Sequence, residues 1–110
     1  SYIGGWQLPG GGVAGGEPPE LAVVRELEEE VGLVESTAPE FIALYSRKIL
    51  WVGNLIVLYR LRNARIDFKP NMEVREAKFF DPAALPDGTT GATRRRLAEL
   101  FGKTPRTPYW

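Results

Sequence analysis

Between Pro19 and Gly32 the apolar residues Val23, Val24, Leu27 and Val31 recur at three- and four-residue intervals, with acidic residues in between. That spacing predicts an amphipathic helix. Pro18 and Pro19 fall in the first turn, where proline is tolerated, with Glu20 near the positive end of the helix dipole; Gly32 supplies the stop. Ahead of the helix, Gly4 to Gly16 is rich in glycine but punctuated by Trp6, Leu8 and Val13. Those anchors predict an ordered loop rather than a flexible linker, with Trp6 to Pro9 alternating like the end of a strand. Downstream, Glu40–Ser46 and Asn54–Arg62 read as strands joined through Arg47 to Gly53. Arg65 to Met72 reads as loop, and Glu73–Phe80 as another strand of imperfect phase, ended by Asp81-Pro82. Thr90 or Thr93 can cap a last helix reaching Phe101, with Leu97, Leu100 and Phe101 as its apolar side and Gly102 as its stop. The remainder, Lys103 to Trp110, is expected to be extended. The pattern as a whole is α/β.

Size and composition narrow the chemistry. At 110 residues, 44% hydrophobic and 25% charged, the chain suits one domain over residues 1–110 with one core. Fourteen Lys+Arg balance fourteen Asp+Glu. Zero net charge argues against a non-specific nucleic-acid surface and favours a small phosphorylated ligand. Neither Cys nor His is present. Thiolate and imidazole mechanisms are thereby excluded, and catalysis falls to carboxylates, lysine, tyrosine, hydroxyls or a metal held by oxygen. The longest apolar run, Leu55–Tyr59, is far below the roughly 20 residues of a membrane span. No charged-then-apolar leader opens the chain, so a cytoplasmic protein with no membrane partner is expected.

The helix carries the candidate chemistry. Glu26 and Glu30 lie one turn apart on one face, and Glu29 projects close to both. Like charges at this spacing repel by a few tenths of a kcal/mol per pair. Arg25 can reach Glu29 but leaves Glu26 and Glu30 without a basic neighbour on the helix. A hard divalent cation, Mg²⁺ or Mn²⁺, would offset the excess through carboxylate oxygens. A merely solvated acidic face is the plainer alternative. The glycine-rich loop in front weighs against it, because Gly10 to Gly12 lets backbone approach a ligand and can offer a carbonyl to a metal.

The stretch Gly11, five residues, Glu17, seven residues, then Arg25-Glu26-Leu27-Glu28-Glu29-Glu30-Val31-Gly32-Leu33 resembles a complete Nudix box, residues 11–33. Trp6-Gln7-Leu8-Pro9-Gly10 resembles the usual approach to it. Ala14 departs from the acidic residue that many members have there. The resemblance implies an α/β/α sandwich with a mixed sheet. Because members carry strands before the box, it also implies a domain short of its N-terminal strand or strands, or one completed by a second copy in a homodimer. The activity implied is hydrolysis of a nucleoside diphosphate derivative by attack of water on phosphorus. In that scheme Glu26, Glu29, Glu30 and the Gly11 carbonyl hold metal, Glu29 also serving to position water, and Glu17 and Arg25 brace the carboxylates. Glu73, and after it Glu76, resembles the general base that several members place before a Phe-Phe pair and a Leu-Pro, here Phe79-Phe80 and Leu85-Pro86. Trp6, Tyr45 and Trp51 are candidates for stacking on a base, although buried aromatics are more often core. Arg47 and Lys48 are candidates for phosphate contact, and Arg94 to Arg96 for an exposed face. A non-catalytic module of the same fold, binding a nucleotide or a partner protein, is the alternative, against which the intact acidic set argues.

Overall fold

Helix α1 runs over Pro19–Val31. Pro18 precedes it in extended conformation, its carbonyl accepting from the amides of Leu21 and Ala22, each at 3.0 Å. The helix ends at Gly32, whose φ of 70° lies in the left-handed region and whose amide donates back to the Leu27 carbonyl. Glycine is needed there twice over, since a Cβ would also run into the main-chain carbonyl of Asp67. The same approach lets the Asp67 amide donate to the Gly32 oxygen at 2.8 Å. It brings a short strand β4, Arg65–Ile66, antiparallel to β1, Leu33–Glu35, numbering strands in chain order.

Between them in sequence, β2 (Glu40–Ile49) and β3 (Val52–Arg60) form an antiparallel hairpin, from Glu40↔Arg60 to Ile49↔Val52 with an irregularity between Phe41 and Ala43. The second helix, α2, spans Gly91–Leu100 and is capped by Thr90, whose hydroxyl oxygen accepts from the Thr93 amide at 3.3 Å. The final segment lies along β2, with Ser46 N–H donating to the Pro108 oxygen at 2.7 Å and Trp110 N–H to the Ser46 oxygen at 2.9 Å. Ala22, Val31 and Tyr45 are among the buried apolar side chains.

This computed structural model describes residues 6–49 and 52–110, so Trp51 and the Lys48 side chain lie outside the described residues. Within them, both helices and the hairpin fall where the hydrophobic pattern places them. Two expectations need correction. Residues 73–80 form no strand: Val74 and Ala77 turn inward without a partner strand, in keeping with their broken alternation. The segment read as loop from Arg65 contains β4, which a tertiary contact at Gly32 creates rather than local propensity. The strands pair antiparallel in two separate pairs, and parallel pairing is confined, among the described residues, to bridges at Trp6–Thr89 and Ser46–Tyr109. No helix among the described residues is long and apolar enough to cross a membrane.

Candidate active site

Three consecutive glycines fold back onto α1, each making a different contact. The Gly10 amide donates to the Glu30 carboxylate. Gly11 lies so close to the Glu26 carboxyl group that a Cβ would overlap it. The Gly12 carbonyl accepts from Arg25 Nη2 at 3.1 Å. At Gly11 only a residue without a side chain can approach the helix this closely.

Arg25 joins loop to helix. Its Nε and Nη2 grip the two Glu17 oxygens at 2.8 and 2.9 Å, while Nη1 reaches Glu26 at 3.1 Å and Glu29 at 3.3 Å. Glu17 in turn accepts from the Ala14 amide at 3.1 Å. The Arg25 hydrogen bond and that amide hold the Glu17 carboxyl below its ordinary range, and the same bond raises Arg25 further above its own. Arg25 therefore does more than the helix spacing suggested, because it touches Glu26 as well as Glu29.

Glu30 receives no such support. Burial raises its carboxyl above the ordinary range, the Glu26 charge adds to the rise, and Glu73 contributes both charge and a hydrogen bond; only the Gly10 amide pulls the other way. The loop bearing Glu73 therefore places its acid against the helix face. Beside this cluster opens a cleft of about 670 Å³, walled largely by apolar groups and edged by Glu30, Glu73, Glu76 and Lys78. Trp6 lines it, its ring edge-on to Phe80 with centroids 5.0 Å apart.

Glu30 thus has Glu26 and Glu73 as acidic neighbours, while Glu29 is turned outward toward Arg25 with its side chain 60% exposed. Glu76 lines the cleft but is ion-paired to Lys78 at 3.4 Å. Arg47 is exposed opposite Asn54 on the hairpin and does not line the cleft. Tyr45 is only 2% exposed and belongs to the core. Arg96, grouped in sequence with a solvated run, is 1% exposed and packed against Glu99 and Tyr45. A signal for it existed: Arg96 and Glu99 stand three residues apart, on adjacent turns of one helix.

Every donor here is an oxygen, which suits a hard divalent cation, and the repulsion of Glu30 by Glu26 and Glu73 is what such a cation would relieve. Among the described residues no three acidic side chains already converge as a preformed ligand set.

The model of one protein family matches residues 1–101, and its description is NUDIX domain. The chain belongs to the Nudix family. The fold is accordingly an α/β Nudix fold, with two helices and small antiparallel sheets. Among curated relatives, an RNA pyrophosphohydrolase of Shewanella sediminis is 42% identical over 77 residues, covering 68% of this chain and 40% of that protein. One from Shewanella woodyi is likewise 42% identical over 68% of this chain and 39% of its own length. One from Acinetobacter baylyi is 39% identical, over 68% and 41%. The chain thus spans about two-fifths of the length of these relatives. No solved structure matches it at comparable significance. The relatives' names include RNA, which the expectation of no nucleic-acid partner does not fit cleanly.

Proposed function

We propose that this Nudix domain hydrolyses a phosphoanhydride in a nucleotide-derived substrate, by attack of water on phosphorus. The observation that carries the reading is the placing of Glu26 and Glu73 as acidic neighbours of Glu30 beside a glycine loop and a cleft, with acidic charge left in excess at Glu30. Two substrate classes fit. One is a nucleoside diphosphate linked to another moiety. The other follows from the relatives' names: internucleotide links in RNA are phosphodiesters, so a phosphoanhydride in RNA can stand only at a terminal polyphosphate.

Glu26 and Glu30 would hold Mg²⁺ or Mn²⁺, with Glu29 and the Gly11 carbonyl available to complete the set. A bound divalent cation supplies charge neutralisation on the diphosphate and acidifies or orients the attacking water. Glu17 and Arg25 keep the loop and Glu26 in register. The Glu73 carboxylate takes the proton as the water oxygen bonds to phosphorus and the anhydride oxygen departs with the leaving phosphate. Glu73 is favoured over Glu76 because it hydrogen-bonds Glu30, whereas Glu76 is tied to Lys78. The intact acidic set weighs against the non-catalytic alternative.

The test is calorimetric titration with Mg²⁺ and Mn²⁺, joined to phosphate release from a panel of nucleoside diphosphate derivatives and a 5′-triphosphorylated oligoribonucleotide. Saturable binding and turnover, both lost in Glu26→Gln, are expected. Undiminished binding in Glu26→Gln and Glu30→Gln would reject the assignment.

A further inference from the structure

The segment that carries Glu73 has no regular secondary structure, yet it sets an acidic side chain against α1. One side chain accounts for that placement. Asn71 Nδ2 donates to the main-chain oxygen of Glu30 at 3.1 Å, and Asn71 Oδ1 accepts from the amides of Glu73 at 3.0 Å and Val74 at 2.9 Å. The Asn71 amide donates in turn to the Val74 oxygen at 3.0 Å, closing a compact turn. The Glu30 oxygen is one of the last four carbonyls of α1, which a helix leaves without an internal partner. Asparagine alone combines the two ends needed here: an amide nitrogen that satisfies the helix terminus and an oxygen that folds the following residues into an Asx turn.

We propose that Asn71 is a positioning residue, which locks this loop to the last turn of α1 and thereby sets the Glu73 carboxylate against Glu30. The proposal rests on the reading of Glu73 as proton acceptor given above. Asn71 touches neither the cleft nor the other acidic side chains of the site; it acts through Glu73. Its bonds lie at the surface, so removing them leaves the core intact and the variant folded.

A double-mutant cycle tests the role. Asn71→Ala is expected to lower kcat by about ten- to a hundredfold, as a small misplacement of a reacting group does, with KM and half-saturating Mg²⁺ little changed. In a Glu73→Gln background the same substitution should cost nothing further. Asn71→Asp, which keeps the acceptor oxygen, should recover part of the rate. Additive losses in the cycle would overturn the proposal. A second measurement needs no substrate. Mn²⁺ added to isotopically labelled protein should broaden the amide signals of Gly11 and Glu73 together; in Asn71→Ala that of Glu73 should escape while that of Gly11 does not. Equal broadening of Glu73 in both proteins sinks the clamp even if hydrolysis is found. Should Mn²⁺ broaden no signal at all, the metal reading fails instead, and amide exchange at Glu73 and Val74 then decides: faster exchange in Asn71→Ala upholds the clamp, unchanged exchange removes it.

Discussion

Glu30 and Glu99 are both drawn out of bulk water, one at each helix's C-terminal turn, and their surroundings differ in sign. Glu99 accepts from the Tyr45 hydroxyl at 2.8 Å, the Thr107 amide at 3.1 Å and Arg96 Nη2 at 3.2 Å. Arg96 Nε stands 3.1 Å from the other oxygen as an ion pair, without the alignment of a hydrogen bond. Arg96 itself is held by the main-chain oxygens of Tyr109 and Trp110 at 2.9 and 2.7 Å and lies 4.5 Å from the centre of the Tyr45 ring. Glu30 meets two other acids and one amide. A carboxylate whose charge is answered within the fold serves architecture. One whose charge is left in excess marks where the fold can accept a cation.

The contrast can be broken most forcefully at Arg96. Arg96→Ala would leave Glu99 buried and unpaired and should cost about 3–5 kcal/mol in urea unfolding; a loss below 1 kcal/mol would mean that Glu99 is not answered by Arg96 at all. Next comes Gly11→Ala, where the new methyl must displace the Glu26 carboxyl, a flexible group. Divalent-cation affinity should fall by about ten- to a hundredfold with the melting temperature nearly unchanged, and a variant that melts early yet binds normally would assign Gly11 to the fold. Glu30→Gln, by relieving repulsion, should leave the cation-free protein as stable as before or more so by up to about 1 kcal/mol. Destabilisation there would show that the site is already balanced.

The smallest effect concerns pH. Burial and the hydrogen bond to Glu99 raise Tyr45 above its ordinary value of 10.0. Its stabilising contribution is therefore complete below pH 10.0 and is lost as pH rises through the higher folded value. Relative to Tyr45→Phe, the wild-type protein should lose roughly 1 kcal/mol across that alkaline interval in chemical unfolding. A difference that stays constant with pH would show that the phenol does not titrate with unfolding.

The part of the molecule legible in sequence is the part built from local rules. Helix α1 announces itself through apolar spacing, prolines at its start and Gly32 at its end, and the Nudix box within it identifies the acids. What stayed hidden depends on residues distant in sequence. Arg96 reads as one of three exposed arginines until Glu99, Tyr45 and the Trp110 oxygen are placed around it. Strand β4 exists because Gly32 admits the Asp67 carbonyl, which no propensity encodes. Phe101, assigned by periodicity to the apolar face of α2, is 52% exposed because the helix ends one residue before it. Glu73 is a candidate by resemblance alone, and the strand expected to carry it is instead a turn organised by Asn71.

Arg25 has a bearing on ligand recognition. A guanidinium has five N–H groups, and here they meet Glu17 twice, Gly12, Glu26 and Glu29. All are spent on the protein. The cation that sits closest in sequence to the acidic face is therefore saturated by the protein itself, and Arg25 has no N–H left over for any ligand.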